Sequence, residues 1–202
     1  PSFQDLLNDE TVSVPDCLRE DTRPIVENIA LDVGRWTEQS FFDQEVEFLW
    51  PKVWQMVCRE TALAKPGDYL VYDITRYSIL LVCTNDHTIK AYHNSCLHRG
   101  RAIKSGKGRS RELRCPYHGF AWNLDGTFKE AFCQWEFEHE NLEELNLPEV
   151  QVATWGGWIF INMDPEAPSF ETYASILPDH FQRWRPEDRY VSLHIEKEIR
   201  CN

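Results

Sequence analysis

Two hundred and two residues, 42% of them hydrophobic and eight of them tryptophan, suffice for one domain with a real core, or one domain and part of a second. A formal charge of −12 argues against nucleic acid and against an anionic membrane surface as partners. No run approaches the roughly 18 consecutive apolar residues of a membrane span, and no basic stretch followed by an apolar one marks a signal peptide.

In chain order, residues 1–45 read as an arm with short helical pieces, interrupted by Pro15 and Pro24. Ser40 is a candidate N-cap with Asp43 three residues on, an approximate capping box. Phe41, Phe42, Val46, Leu49, Trp50 and Val53 then recur at helical spacing, which predicts an amphipathic helix over about 41–52 whose apolar stripe faces a core. From Trp54 the pattern shortens. Segments 53–58, 69–74, 77–84 and 89–94 are rich in branched and aromatic residues, with turns at Pro66-Gly67-Asp68 and Asn85-Asp86. Segments 113–115 and 120–123 follow, then a hairpin turn at Asp125-Gly126. Segments 150–155 and 158–162 flank Gly156-Gly157, the clearest hairpin signal in the chain. The fold class expected is therefore mostly β with short helices, an antiparallel β-sandwich or small barrel over 46–164. After Pro165 a helix is expected over 169–185, with Phe170, Tyr173, Ala174, Leu177 and Phe181 on one side and Pro178 kinking or dividing it. Strict alternation over 190–199 predicts a half-exposed strand, and a chain ending there looks interrupted.

The chemistry concentrates between Asn94 and Trp122. The sequence reads N-S-C-L-H-R-G-R-A, then a basic interval, then L-R-C-P-Y-H-G-F-A-W. Cys96 and His98 share one turn, Cys115 and His118 another, with sixteen residues between the two pairs. Two thiolates and two imidazoles in this order fit a [2Fe–2S] cluster with one iron held by Cys₂ and the other by His₂. Soft thiolates suit the inner iron, so Cys96 and Cys115 are expected there. Neutral imidazoles on the outer iron bring the oxidised centre to formal charge zero rather than minus two, which makes reduction easier. Such centres lie at about −150 to +300 mV, against about −400 mV for all-cysteine plant-type clusters. A structural zinc site shares the donor set, but zinc motifs pair Cys with Cys and His with His along the chain, whereas here each turn mixes them.

Around the ligands, Gly100 and Gly119 would let the loops turn and bring backbone N–H groups towards sulfur, and Pro116 would stiffen the second loop. Tyr117 and Trp122 either shield the centre from water or are core aromatics. Arg99, Arg101, Lys104, Lys107, Arg109, Arg111 and Arg114 accompany a single acidic residue, Glu112, making a positive island on a negative protein. That island is a solvated hairpin, a docking face for an acidic electron donor, or the counterpart of the seven glutamates between 130 and 149. Cys17, Cys58, Cys83, Cys133 and Cys201 are scattered singly and read as free thiols of a reducing cytoplasm. His87, His93, His139, His180 and His194 form no recognisable ligand pair.

Cys96-Leu97-His98-Arg99-Gly100 and Cys115-Pro116-Tyr117-His118-Gly119, with Trp122 and the Asn123-Leu124-Asp125-Gly126 turn, resemble the Rieske motif of ring-hydroxylating oxygenase large subunits. Respiratory Rieske proteins carry two further cysteines whose places are held here by Arg101 and Tyr117, so no disulfide can join the loops. The resemblance runs from about Phe41 to the end and implies the start of an α+β catalytic domain over 165–202. It implies electrons arriving singly from a ferredoxin or flavin reductase and passing to a mononuclear Fe(II), held by two histidines and a carboxylate in a larger C-terminal domain that hydroxylates an aromatic or other organic substrate. It also implies a ring of subunits, usually a homotrimer, with His118 facing the path to the neighbour's iron. No such 2-His-1-carboxylate set is present in these 202 residues. A stand-alone Rieske ferredoxin-type carrier and a zinc-stabilised binding module remain as alternatives at this point.

Overall fold

The computed structural model describes residues 2–19, 31–132, 135, 141 and 144–200. The chain divides into two compact units, one of residues 44–167, the other of residues 1–43 with 168–202.

Among the described residues the larger unit holds ten strands, all antiparallel. β1 (Gln55–Arg59), β2 (Asp68–Ile74), β3 (Tyr77–Cys83), β4 (Ile89–His93), β5 (Lys107–Arg109), β9 (Glu149–Trp155) and β10 (Trp158–Asn162) form one sheet in the order β1-β10-β9-β4-β3-β2-β5. β6 (Leu113–Arg114), β7 (Ala121–Trp122) and β8 (Phe128–Glu130) form a second, three-stranded sheet. The mostly-β architecture expected from the sequence is therefore present.

β3 explains how the larger unit is held together. Successive side chains of a strand point to opposite faces. Here both faces are covered, so the strand reads as an unbroken apolar run, Ile79-Leu80-Leu81-Val82-Cys83, each residue at most 1% exposed. Ile79, Leu81 and Cys83 pack with Leu63, Ala91, Val150, Ile159, Ile161 and Met163. Leu80 and Val82 pack on the other side with Tyr92, Ile103, Leu113, Phe120, Trp122 and Leu124, and that second core contains Cys96 and Cys115. Each fully buried aliphatic side chain contributes about 1.5–3 kcal/mol. The two thiols are thus buried members of this second core.

Several expectations need correction. The helix expected over 41–52 begins earlier and changes winding: α3 (Gln39–Gln44), a π-turn (Glu45–Leu49) and a 3₁₀ turn (Trp50–Lys52). Ser40 lies inside its first turn and is not its cap, and Gln39 bonds Asp43 instead (Nε2–Oδ1, 2.8 Å). Its stripe is only partly a core face, because Val46 is buried while Phe42 and Leu49 are exposed. With three windings in fourteen residues, no single 3.6-residue face survives.

In the smaller unit, α1 (Phe3–Asn8) carries a full capping box between Ser2 and Asp5, and a short helix α2 (Gly34–Thr37) follows. The helix expected over 169–185 is two pieces, α4 (Phe170–Tyr173), capped by Ser169, and α5 (Leu177–Phe181). Pro178 lies in the first turn of α5, where its missing N–H costs nothing, and the break falls just before it. Residues 189–200 form no strand, contrary to the alternation of 190–199. An alternating segment becomes a strand only when a neighbour takes its N–H and C=O groups, and no described residue does so in a ladder.

Candidate metal centre

The four sequence-predicted donors lie on two loops, where Cys96 stands beside Cys115 and His98 beside His118. The first joins β4 to β5, and the second joins β6 to β7, so each hangs from a different sheet. Their backbones close in the same way. In the first, the Cys96 N–H donates to the Arg101 carbonyl and the Gly100 N–H to the Cys96 carbonyl, both at 2.8 Å. In the second, the Cys115 N–H donates to the Phe120 carbonyl at 2.8 Å and the Gly119 N–H to the Cys115 carbonyl at 3.2 Å. Both turns require a residue at positive φ in the fifth position: Gly100 at 69° and Gly119 at 74°. Only glycine takes that conformation without steric cost. On this shared frame the histidines differ by one residue, the third place of the first loop and the fourth of the second.

The donors are layered. Cys96 and Cys115 are buried, at 4% and 2% exposure, whereas both histidines are half-exposed. Burial pushes the Cys96 thiol pKa up, and the backbone N–H groups of His98 and Arg99 aim at its sulfur and pull it partly back, while Cys115 acts against ionisation from alongside. The His98 and His118 rings lie 4.7 Å apart and tilted. Burial, then the proximity of His118 and Arg99, lowers the pKa of His98, which favours the neutral imidazole that ligates metal. His98 stacks on Phe120 at 4.9 Å, and Tyr117 stacks on His118 at 3.7 Å while remaining 61% exposed.

The donor set fits a diatomic centre. Among the described residues, no three His, Cys, Asp or Glu side chains converge on one metal position. The donors stand instead as an inner thiol pair and an outer imidazole pair. One tetrahedral zinc needs all four on a single centre, whereas two bridged irons take them two and two.

The supporting residues divide. Trp122 is fully buried and its indole N–H donates to the Leu145 carbonyl at 2.6 Å, so it is a core aromatic rather than a lid. Pro116 is exposed at the tip of the second loop. A cleft of about 550 Å³ opens between the loop tips, lined by Arg99, Gly100, Arg101, Pro116 and Tyr117. Of the seven basic residues, Lys104 donates to Ser110 and lies over the Tyr69 ring, Arg109 pairs with Asp68, and Arg114 pairs with Glu112 and Glu130. Among the described residues, Arg99, Arg101, Lys107 and Arg111 have no carboxylate partner. Most of the glutamates between 130 and 149 lie outside the described residues, as do Cys133, His139 and Cys201. Cys17, Cys58 and Cys83 are free thiols, and Cys17 Sγ lies 3.4 Å from His180 Nδ1 in the smaller unit.

Two residues that sequence reasoning passed over hold the loops in place. Asn94, 4% exposed, donates through Nδ2 to Ser78 Oγ (3.0 Å) and the Lys104 carbonyl (2.9 Å). Its Oδ1 accepts the N–H groups of Ile103 (3.0 Å) and Lys104 (3.1 Å), closing the base of the first loop. Arg114 does the equivalent for the second, its Nη1 donating to the Gly119 carbonyl at 2.8 Å. By sequence, Asn94 is the last residue of a predicted strand and Arg114 is one basic residue among seven.

Comparison with known proteins agrees with this geometry. Residues 53–145 match the model of the Rieske [2Fe-2S] domain. The carnitine monooxygenase oxygenase subunit of Escherichia coli is 35% identical over 137 residues, 67% of this chain and 37% of that protein. Biphenyl dioxygenase subunit alpha of Metapseudomonas furukawaii is 31% identical over 152 residues, 71% of this chain and 33% of that one. Among solved structures, the apo form of the quaternary ammonium Rieske monooxygenase CntA superposes with a TM-score of 0.72 at 27% identity, covering 76% of this chain and 45% of that one. The chain thus spans between a third and two fifths of the length of these two curated relatives. Among the described residues, no helix is long and apolar enough to cross a membrane. The zinc-module alternative falls with the domain match, and the chain carries a Rieske [2Fe–2S] domain homologous to the N-terminal part of the large subunits of Rieske mono- and dioxygenases.

Proposed function

We propose that Cys96 and Cys115 ligate the inner iron, and His98 and His118 the outer iron, of a Rieske [2Fe–2S] cluster that relays electrons for an oxygenase. The observation that carries this reading is the layered donor set, buried thiols beneath half-exposed imidazoles on two loops of matching backbone. When bound, such a cluster supplies one-electron redox capacity. The chain's own residues do the rest. The N–H groups of His98 and Arg99 point at Cys96 sulfur, an arrangement that favours the more negative, reduced centre. Gly100 and Gly119 permit the turns, Pro116 stiffens the second, and Tyr117 covers one face of His118.

In this reading residues 46–164 are the Rieske domain, 1–45 an arm, and 165–202 the beginning of a catalytic domain whose mononuclear Fe(II) site lies in sequence beyond this chain. The donor is a ferredoxin or flavin reductase in the cytoplasm, docking at the cleft that Arg99 and Arg101 line. Complementary charge chiefly raises encounter rates, so reduction by an acidic donor slows steeply with added salt. The whole subunit assembles as a ring, usually a homotrimer, and hydroxylates an organic substrate. The homology to oxygenase large subunits favours this over a stand-alone ferredoxin.

The test is direct. Protein made anaerobically with iron supplied contains two irons and two acid-labile sulfides per chain and takes up one electron. His98→Cys or His118→Cys lowers the midpoint potential by on the order of 100 mV or more if the cluster survives. An unchanged potential removes that histidine from the ligand set, and a colourless, iron-free wild-type protein overturns the proposal.

A further inference from the structure

The two loops share a backbone plan but are anchored by different chemistry. Ser95, the residue before Cys96, places its hydroxyl within 3.8 Å of where a Gly100 Cβ would stand. The residue before Cys115 is Arg114, and all three nitrogens of its guanidinium are engaged. Nε bonds Glu112 Oε1 at 2.5 Å, Nη2 pairs with Glu130, and Nη1 donates to the Gly119 carbonyl at 2.8 Å. Glu112 takes Lys129 Nζ on its other oxygen at 2.6 Å. Two cations and two carboxylates therefore cancel locally, and what remains is geometric: a planar fork held from two sides, with its third arm on the loop.

The carbonyl it holds belongs to the residue after His118, and the N–H of that same glycine closes on the Cys115 carbonyl. Gly119 is thus fixed at both ends of its residue, between the loop's Cys and the fork. We propose that Arg114 is a positioning residue for His118: it locks the Gly119 carbonyl, and through it the backbone that orients the imidazole. The proposal rests on His118 being a cluster ligand. It asks more of Arg114 than charge, because a lysine ammonium lacks the three fixed directions of a guanidinium.

Two measurements test it, one without the cluster. In cluster-free protein, Arg114→Gln speeds amide exchange at Gly119 by about tenfold, the equivalent of one charge-assisted hydrogen bond, with Gly100 unaffected. In reconstituted protein, Arg114→Gln and Arg114→Lys both broaden the electron paramagnetic resonance lines of the reduced centre, as His118 samples several orientations. Glu130→Gln, which alters the local charge but leaves the Gly119 bond, shifts the potential and keeps the lines sharp. Sharp lines with Arg114→Lys reduce the residue to a charge and overturn the proposal. So does unchanged Gly119 exchange in Arg114→Gln. Should Arg114→Gln fail to fold, Arg114→Lys carries both readouts. If the wild-type protein takes up no cluster, the ligand assignment fails, whereas the exchange arm still reports on the anchor by itself.

Discussion

The loop around Cys96 and the loop around Cys115 make the same pair of backbone hydrogen bonds and the same glycine turn, yet they are secured in opposite ways. The first is closed by a buried neutral amide, Asn94, with four hydrogen bonds. The second is held by an ionic network of Arg114, Glu112, Glu130 and Lys129 near the surface. A buried polar side chain is costly unless every group is satisfied, and Asn94 is satisfied at each of them. Exposed ion pairs are weak singly and hold better as a network. The lesson is that one metal centre rests on one rigid support and one that salt and pH can loosen.

The largest effect treats the loops alike. Cys96→Ser and Cys115→Ser each abolish the cluster, read as loss of iron, sulfide and colour, and a variant that stays red-brown separates that cysteine from the centre. The next effect divides them. Asn94→Ala leaves the N–H groups of Ile103 and Lys104 buried without their acceptor, costing about 2–4 kcal/mol in denaturant unfolding of cluster-free protein. A loss below about 1 kcal/mol would make Asn94 a bystander.

Smaller effects come from the turns. Gly100→Ala costs about 1–2 kcal/mol for the left-handed backbone alone, since its nearest neighbour, Ser95 Oγ, stands 3.8 Å from the new Cβ. Gly119→Ala costs more, because its Cβ would meet Phe132 Cβ at 3.3 Å. The reverse order would mean that the first loop is the tighter one.

The smallest effect is a pH dependence confined to the second loop. Hydrogen bonds from Arg114 and Lys129 hold the Glu112 carboxyl well below the usual range, at about 2. A carboxyl whose folded pKa is depressed stabilises the fold above its unfolded value of about 4.5 and loses that contribution as pH falls towards 2. Amide exchange at Gly119 should therefore quicken, relative to Gly100, over that acidic window. Parallel behaviour of the two glycines would erase the difference in anchoring.

How much of this the sequence carried depends on how local each signal is. The four donors were legible because ligand chemistry is written into residue type and spacing within a few positions. β3 was legible because burial on both faces leaves an unbroken apolar run, and the hairpin at Gly156-Gly157 because its turn residues are specific. β5 was missed: Lys107-Gly108-Arg109 is polar, exposed and at the sheet edge, so no hydrophobic pattern marks it. The strand expected over 190–199 had the pattern but no neighbour to pair with. Asn94 and Arg114 escaped for a related reason. Apart from the Arg114–Glu112 pair, their work is done by contacts to residues 5 to 16 positions away, which no local pattern announces.

One consequence follows from where the loops hang. Because the donors come from two sheets, a group bonded to all four is a rivet between layers that otherwise meet through side-chain packing and the hydrogen bond from the Tyr92 hydroxyl to the Leu124 carbonyl. Whatever binds the folded form alone also prolongs it. Iron supply would then govern how long this polypeptide survives proteases in the cell, through the seam between the sheets.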